Sequence, residues 1–415
     1  MKLATYRLMP EASGAPVDLP PGASWARFGD EVLLYSDEAR WDALAERAET
    51  GALQLRERQP DVEREHMHVV VQNGRLFQQE NPDARVLVDR GRFLLVELDP
   101  DRARQLQGKG DTCYGVLPLM ENEVVFDVRD RTAERAAPVA WIQDLVDEVS
   151  YSTVETDLAH LVSFPTRYST SSHYADAAAW AQDQLEAMGY AALLQDIVVG
   201  GSQSWNVIAD KVGHAAGARG VVLVTAHLDS INIRGGPEAP APGADDNGSG
   251  SAGLLEMARA LRDHRGEHDL RFMLFGGEEE GLFGSKHYVA DLPAAERARI
   301  RAVVNMDMIG TLNVPTRSVL LEGAPLSQRV IDGLSEAAMT YTGLVVETSL
   351  HPFASDHVPF IDAEIPAVLT IEGADNTNGN VHSGSDTLDN INYDFTLEIL
   401  RMNVAFIAGE VNRAS

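Results

Sequence analysis

Gly220-Val221-Val222-Leu223-Val224-Thr225-Ala226-His227-Leu228-Asp229 is the stretch on which the fold reading turns. Its unbroken apolar and β-branched run, too short for an amphipathic helix, reads as a strand buried on both faces, as in the middle of a parallel sheet. Two polar side chains follow it at once. In an open α/β sheet, sites form beyond the carboxyl ends of strands, so His227 and Asp229 stand where chemistry is expected.

The pattern continues on either side. A helix is expected over 173–188 and another over 251–261, with strands over 270–275 and 301–306. A helix over 327–341, a strand over 367–371 and a closing helix over 394–411 follow. Such alternation specifies an α/β fold with a mixed, largely parallel central sheet flanked by helices. Upstream, a helical pattern runs from Trp141 to Phe164, and Asp130–Pro138 has the charged, Ala-rich composition of a linker. The expected division is therefore a small N-terminal α/β domain over 1–140, serving as prosegment, lid or oligomerisation module, and a catalytic domain over 141–415.

Composition narrows the function. The 415 residues hold 34 Lys and Arg against 63 Asp and Glu, a net charge of -29, which repels phosphate backbones and anionic lipid and leaves no expectation of nucleic acid or membrane as partner. Cys113 is the single cysteine, so no intrachain disulfide and no thiolate cluster can form. Any metal must be held by His, Asp and Glu. No apolar run has the length of a signal segment or a membrane span, and the expected location is the cytoplasm, or outside the cell if a leader has been removed.

Four further segments carry chemistry-bearing residues. They are Pro242-Gly243-Ala244-Asp245-Asp246-Asn247-Gly248-Ser249-Gly250, the turn Gly276-Gly277-Glu278-Glu279-Glu280-Gly281, Asp307 directly after an apolar run, and His382 in Gly379-Asn380-Val381-His382-Ser383-Gly384-Ser385-Asp386. Two histidines and several carboxylates delivered by strand ends suit a pair of divalent cations about 3.5–4 Å apart, sharing one carboxylate. Two Zn²⁺ ions would be balanced by Asp245, Glu279, Asp307 and a hydroxide, with both histidines neutral. One glutamate is then left free as general base for a water whose pKa the cations lower.

In this order, H-x-D, G-A-D-D-N-G-S-G, E-E, M-D and H-S-G-S-D-T resemble the co-catalytic zinc aminopeptidases of the M28 peptidase family, over roughly residues 145–413. The resemblance implies one zinc at His227, Asp245 and Asp307, and a second at Asp245, Glu279 and His382. It implies Glu278 as base, Asp229 as the carboxylate orienting His227, and a cis peptide joining Asp245 to Asp246. It also implies peptide substrates engaged through a free N-terminus, and ligands that accept cobalt or manganese as well as zinc. Ser355–Phe360 matches a family stretch assigned to support of the site. Phe164-Pro165-Thr166-Arg167-Tyr168 is similar to the bacterial leucyl-type branch. The disulfide that staples a loop in some secreted members has no cysteines here. Oligomeric state and side-chain preference are not specified.

Plainer readings compete. Three consecutive acids are ordinarily a solvated turn, although flanking glycines after an apolar strand weigh against that here. Asp245, Asn247, Ser249, Gly250 and Glu256 fit calcium-loop spacing, but Pro240-Ala241-Pro242-Gly243 allows no entering helix. His66 and His68 suit a surface pair, and Asp229 and Asp386 would each serve as a turn cap. On the same fold, a carboxypeptidase, a dipeptidase or a glutaminyl cyclase-like enzyme remains an alternative, as does a binding protein without activity.

Overall fold

Strand signals in the first part of the chain resolve into β1 (Lys2–Leu8), β2 (Ser24–Phe28), β3 (Glu31–Ser36), β4 (Leu53–Gln59), β5 (Met67–Gln72), β6 (Arg85–Arg90), β7 (Phe93–Glu97), β8 (Tyr114–Pro118) and β9 (Glu123–Val128). The computed structural model describes residues 2–8, 24–37, 41–42, 45, 53–59, 62–107, 114–129 and 136–413. It divides into two units, Met1–Ala133 with Glu347–Phe353, and Glu134–Val346 with Ala354–Ser415. The expected boundary lies a few residues late, and most of the linker-like stretch falls outside the described residues.

Two sheets make up the first unit, in the orders β9-β2-β3-β1-β4 and β6-β7-β5-β8. Glu347, Thr348 and Ser349 pair antiparallel with Val128, Asp127 and Phe126, which is why this excursion belongs to the first unit. Nothing in its composition marks it as such. The charged composition around Trp41–Arg58 also suggests helical pieces; that stretch lies partly outside the described residues, and its last part is the strand β4.

The second unit is built on β10 (Ala191–Val199), β11 (Ser202–Lys211), β12 (Val221–His227), β13 (Asp269–Phe275), β14 (Ile300–Met306), β15 (Ser318–Glu322) and β17 (Ala367–Glu372), with β16 (Val345–Ser349) shared in sequence with the excursion. Strand order is β10-β11-β13-β12-β14-β17-β15. The central four, β13, β12, β14 and β17, run parallel. In register, His227 lies beside Phe275, Thr225 beside Asn305 and Met306 beside Thr370, so the carboxyl ends of these strands open on one rim.

Burial on both faces explains the apolar run. Successive strand side chains point to opposite faces. Val222, Val224 and Ala226 enter the core formed with the helices Ser172–Ala187, Gly250–Leu261, Gln328–Tyr341 and Tyr393–Glu410, while Val221 and Leu223 enter a second core with Phe275, Tyr288 and Phe360. These helices and strands stand within a residue or two of their expected bounds.

Two local expectations change. The helix expected over 141–164 is two, Ala140–Asp147 and Tyr151–Val162. Ser150 causes the break: its Oγ accepts from Thr153 N–H at 3.4 Å, and its own N–H donates to buried Glu256 Oε1 at 2.5 Å. No element was expected between Met188 and Gly220, where the hairpin β10-β11 turns on Gly200 and Gly201 with φ of 57° and 89°. Among the described residues no helix is long and apolar enough to cross a membrane.

Phe272 on β13 is fully buried and meets Tyr190 edge-on, ring centroids 5.3 Å apart. Phe272→Ala is expected to cost about 3–5 kcal/mol in urea unfolding of the second unit, and a loss below about 1 kcal/mol would contradict this packing.

Candidate metal centre

His227 closes β12, and its Nε2 lies 3.2 Å from Asp246 Oδ1, 3.3 Å from Asp307 Oδ1 and 4.0 Å from Glu278 Oε2. His382, at the far end of the chain, brings its Nε2 to 3.0 Å from both Asp246 Oδ2 and Glu279 Oε2. Asp246 thus stands between two imidazoles with one oxygen toward each. The sequence expectation that Asp245 fills this place is wrong by one residue. Its Oδ1 accepts from the N–H groups of Gly310 and Thr311 at 2.8 and 3.0 Å, and its Oδ2 accepts from Asn378 Nδ2 at 2.8 Å. Both oxygens are committed away from the histidines. The cis peptide, expected between Asp245 and Asp246, joins Asp246 to Asn247.

Each chemical group is held by others. Asp386, which a turn cap would explain, accepts from the N–H groups of Asp245 and Asp246 at 2.9 Å each. Asp229 does the same for the glutamate pair, accepting from Glu278 N–H at 3.3 Å and Glu279 N–H at 3.1 Å, with its Oδ1 3.6 Å from His227 Nδ1. Neighbouring Glu278 and Glu279 then diverge, the first toward His227 and the second toward His382. A chain of donors fixes Asp307: Thr225 Oγ1 donates to Asn305 Oδ1 at 2.7 Å, Asn305 Nδ2 to Ser355 Oγ at 2.9 Å, and Ser355 Oγ to Asp307 Oδ2 at 2.7 Å. Ser355 therefore supports the site, as its stretch was expected to.

The residues fit divalent cations. Two ligands each about 2.1 Å from a tetrahedral ion lie about 3.4 Å apart, close to the nitrogen–oxygen separations found here. Glu279 Oε1 is buried without a hydrogen-bond partner, an acceptor in want of a cation or donor. His227, Glu278 and Asp307 form one group whose ligand atoms lie within 4.8 Å of one another, and His227, Asp246 and Glu279 another. Glu278 therefore has the reach of a ligand as well as of a base.

Electrostatics agree. Burial works against a charged His227, yet Asp307, Glu278, Asp229 and Asp246 outweigh it and hold its pKa well above 6.5. His382 behaves alike, through Glu279 and Asp246. Burial pushes Glu278 well above the usual carboxylate range, Glu279 to about 7 and Asp386 to about 8, each aided by neighbouring acids. Asp246 goes the other way; burial would raise it, but hydrogen bonds with both histidines hold it below its ordinary value. So many carboxylates in one dry cluster call for positive charge.

Other candidates are not part of this cluster. His66 Nε2 lies 3.6 Å from exposed Glu63 in the first unit, and His351 pairs with Glu123 at 2.8 Å. Glu256 is occupied by Arg259 and Ser150, which removes the calcium-loop reading. Sequence reasoning missed the clamping role of Asp386 and the place of Arg167, fully buried beneath the site. An arginine set in Phe164-Pro165-Thr166-Arg167-Tyr168 beside apolar helix residues was the available signal.

Residues 206–407 match peptidase family M28. Leupeptin-inactivating enzyme 1 of Streptomyces exfoliatus is 35% identical over 235 residues, covering 51% of this chain and 50% of that protein. An aminopeptidase of Pseudomonas aeruginosa is 34% identical over 239 residues, 52% of this chain and 42% of its own length. The chain spans about half or less of the length of both. Legionella pneumophila LapA aminopeptidase superposes with a TM-score of 0.60 at 19% identity, over 84% of this chain and 99% of that one. A glutaminyl cyclase of Porphyromonas gingivalis does so at 0.52 and 19%, over 63% and 99%. These two likenesses establish the fold.

Asp246→Asn is expected to weaken zinc retention, measured by elemental analysis after dialysis, by more than the roughly 10–100-fold typical of losing a residue that merely supports a ligand. Asp245→Asn should keep its zinc and lose stability instead; the opposite ranking would return the bridge to Asp245.

Proposed function

We propose that this protein, whose residues 206–407 match peptidase family M28, is a member of that family and a metal-dependent aminopeptidase that releases residues from the free N-termini of peptides. The observation that carries this reading is the Asp246 carboxylate set between His227 and His382 with Glu278 beside them. His227, Asp246 and Asp307 would hold one cation; Asp246, Glu279 and His382 would hold the other. Imidazole and carboxylate donors suit zinc, with cobalt and manganese as substitutes. When bound, such cations polarise a scissile carbonyl and make water a nucleophile near neutral pH.

The chain's own groups supply the rest. Glu278 Oε2, which faces the same His227 nitrogen as Asp246 and Asp307 and is not needed to complete either ligand set, takes the proton of the attacking water and delivers it to the leaving amine. Asp229 keeps His227 oriented while its two oxygens hold the backbone of the glutamate pair, so base and ligand are positioned by one side chain. The carboxylate surplus attracts a substrate's α-ammonium group. The sequence relatives are named as aminopeptidases and a leupeptin-inactivating enzyme, which supports peptide substrates over the other bonds cleaved on this fold.

Hydrolysis of amino-acid p-nitroanilides should be lost on chelation and return with zinc, while N-acetylated analogues and substrates recognised by a free carboxyl terminus should not turn over. Preferential release of C-terminal residues, or activity indifferent to chelation, would contradict the reading. Glu278→Gln should lower kcat roughly 100- to 10,000-fold with metal content unchanged. Retained turnover would remove Glu278 as base.

A further inference from the structure

We propose that Arg167 is a positioning residue that sets the spacing between the His227–Asp229 limb and the Asp245–Asp246 limb of the cluster, so that zinc affinity depends on its guanidinium. The inference rests on the metal-dependent reading above. Arg167 is wholly buried, and among the described residues of the second unit it is the single buried Lys or Arg. Its Nε donates to Leu228 O at 2.8 Å, Nη1 to Leu161 O at 3.1 Å and Pro242 O at 2.6 Å, and Nη2 to Gly243 O at 2.9 Å.

Those carbonyls belong to three segments. Leu228 sits between His227 and Asp229, Pro242 and Gly243 lead into Asp245, and Leu161 belongs to the helix Tyr151–Val162. Ser230 doubles the tie: its Oγ accepts from Arg167 N–H at 3.1 Å and donates to Ala241 O at 2.7 Å, while its N–H donates to Arg167 O at 3.2 Å. The two limbs are the two ends of the loop over 230–242, and the guanidinium bonds to both.

Among the described residues no carboxylate pairs with Arg167, so its charge is not spent on one ion pair. Burial lowers its pKa to about 10, against the pull of Asp386, Asp229, Asp246 and Glu279, and it remains a cation at neutral pH. Space around it is tight. Gly243 has φ 53°, and a Cβ there would lie 2.4 Å from Asp246 O and 3.0 Å from Arg167 Nη2. Only a planar fork reaches these carbonyls together; a lysine offers a single point charge with three donors.

The test compares wild type, Arg167→Lys, Arg167→Met and Ser230→Ala for zinc affinity by chelator competition, for urea unfolding, and for kcat and KM at saturating zinc. A folded Arg167→Lys protein is expected to bind zinc roughly 10–100-fold more weakly. Its kcat should fall while KM stays within about twofold, and Arg167→Met should be worse on both zinc affinity and kcat. Ser230→Ala cuts the same tie more gently and should lose zinc affinity severalfold, which decides the matter if the arginine variants do not fold. Wild-type zinc affinity in a folded Arg167→Lys protein, or in Ser230→Ala where that alone folds, overturns the proposal even if stability drops, because a purely structural arginine would change unfolding alone. A wild-type protein that neither binds zinc nor cleaves peptides would instead overturn the functional reading.

Discussion

Carboxylates buried beside two imidazoles are the constraint from which the rest of the second unit follows. Taking several acids out of water is costly unless each finds donors or cations. Here several of the acids near the rim find donors, while Glu279 Oε1 is buried without one. Asp245 and Asp386 take backbone N–H groups, Asp229 takes two more, Asp307 takes the Ser355 hydroxyl, and Asp246 divides its oxygens between His227 and His382. What remains is a concentration of negative charge at one point, built for positive ions.

The sheet is what permits this density. Four parallel strands, sealed by helices on both faces, end together and release their following residues into the same space. His227 ends the strand at the middle, the glutamate pair follows β13, and Asp307 follows β14. Packing of Val222, Val224 and Ala226 into one core and Val221 and Leu223 into the other holds His227 at the rim. Stability and chemistry thus share residues along β12.

Most of this was legible in the sequence because both signals were strong. Long apolar runs with their following polar residues located β12, β13, β14 and β17, and the motif order named both histidines, Asp229, Glu278, Glu279 and Asp307, which the structure brings into one cluster. Failures were local and have physical causes. Asp245 and Asp246 are chemically identical neighbours, and the choice between them depends on which one meets the N–H groups of Gly310 and Thr311, sixty-odd residues away in the chain. The same holds for Ser150, whose helix break depends on Glu256, and for Arg167, whose importance is visible only once carbonyls from three segments converge on it. Long-range partners of polar groups do not show in periodicity.

Anomalous diffraction at the zinc edge, on crystals of the intact zinc-loaded protein, tests the central claim most directly. The account predicts two peaks about 3.5–4 Å apart on either side of the Asp246 carboxylate, one against His227 and Asp307 and the other against Glu279 and His382. A metal bridged by Asp245, or no peak at this rim in an enzyme that cleaves peptides, would contradict it.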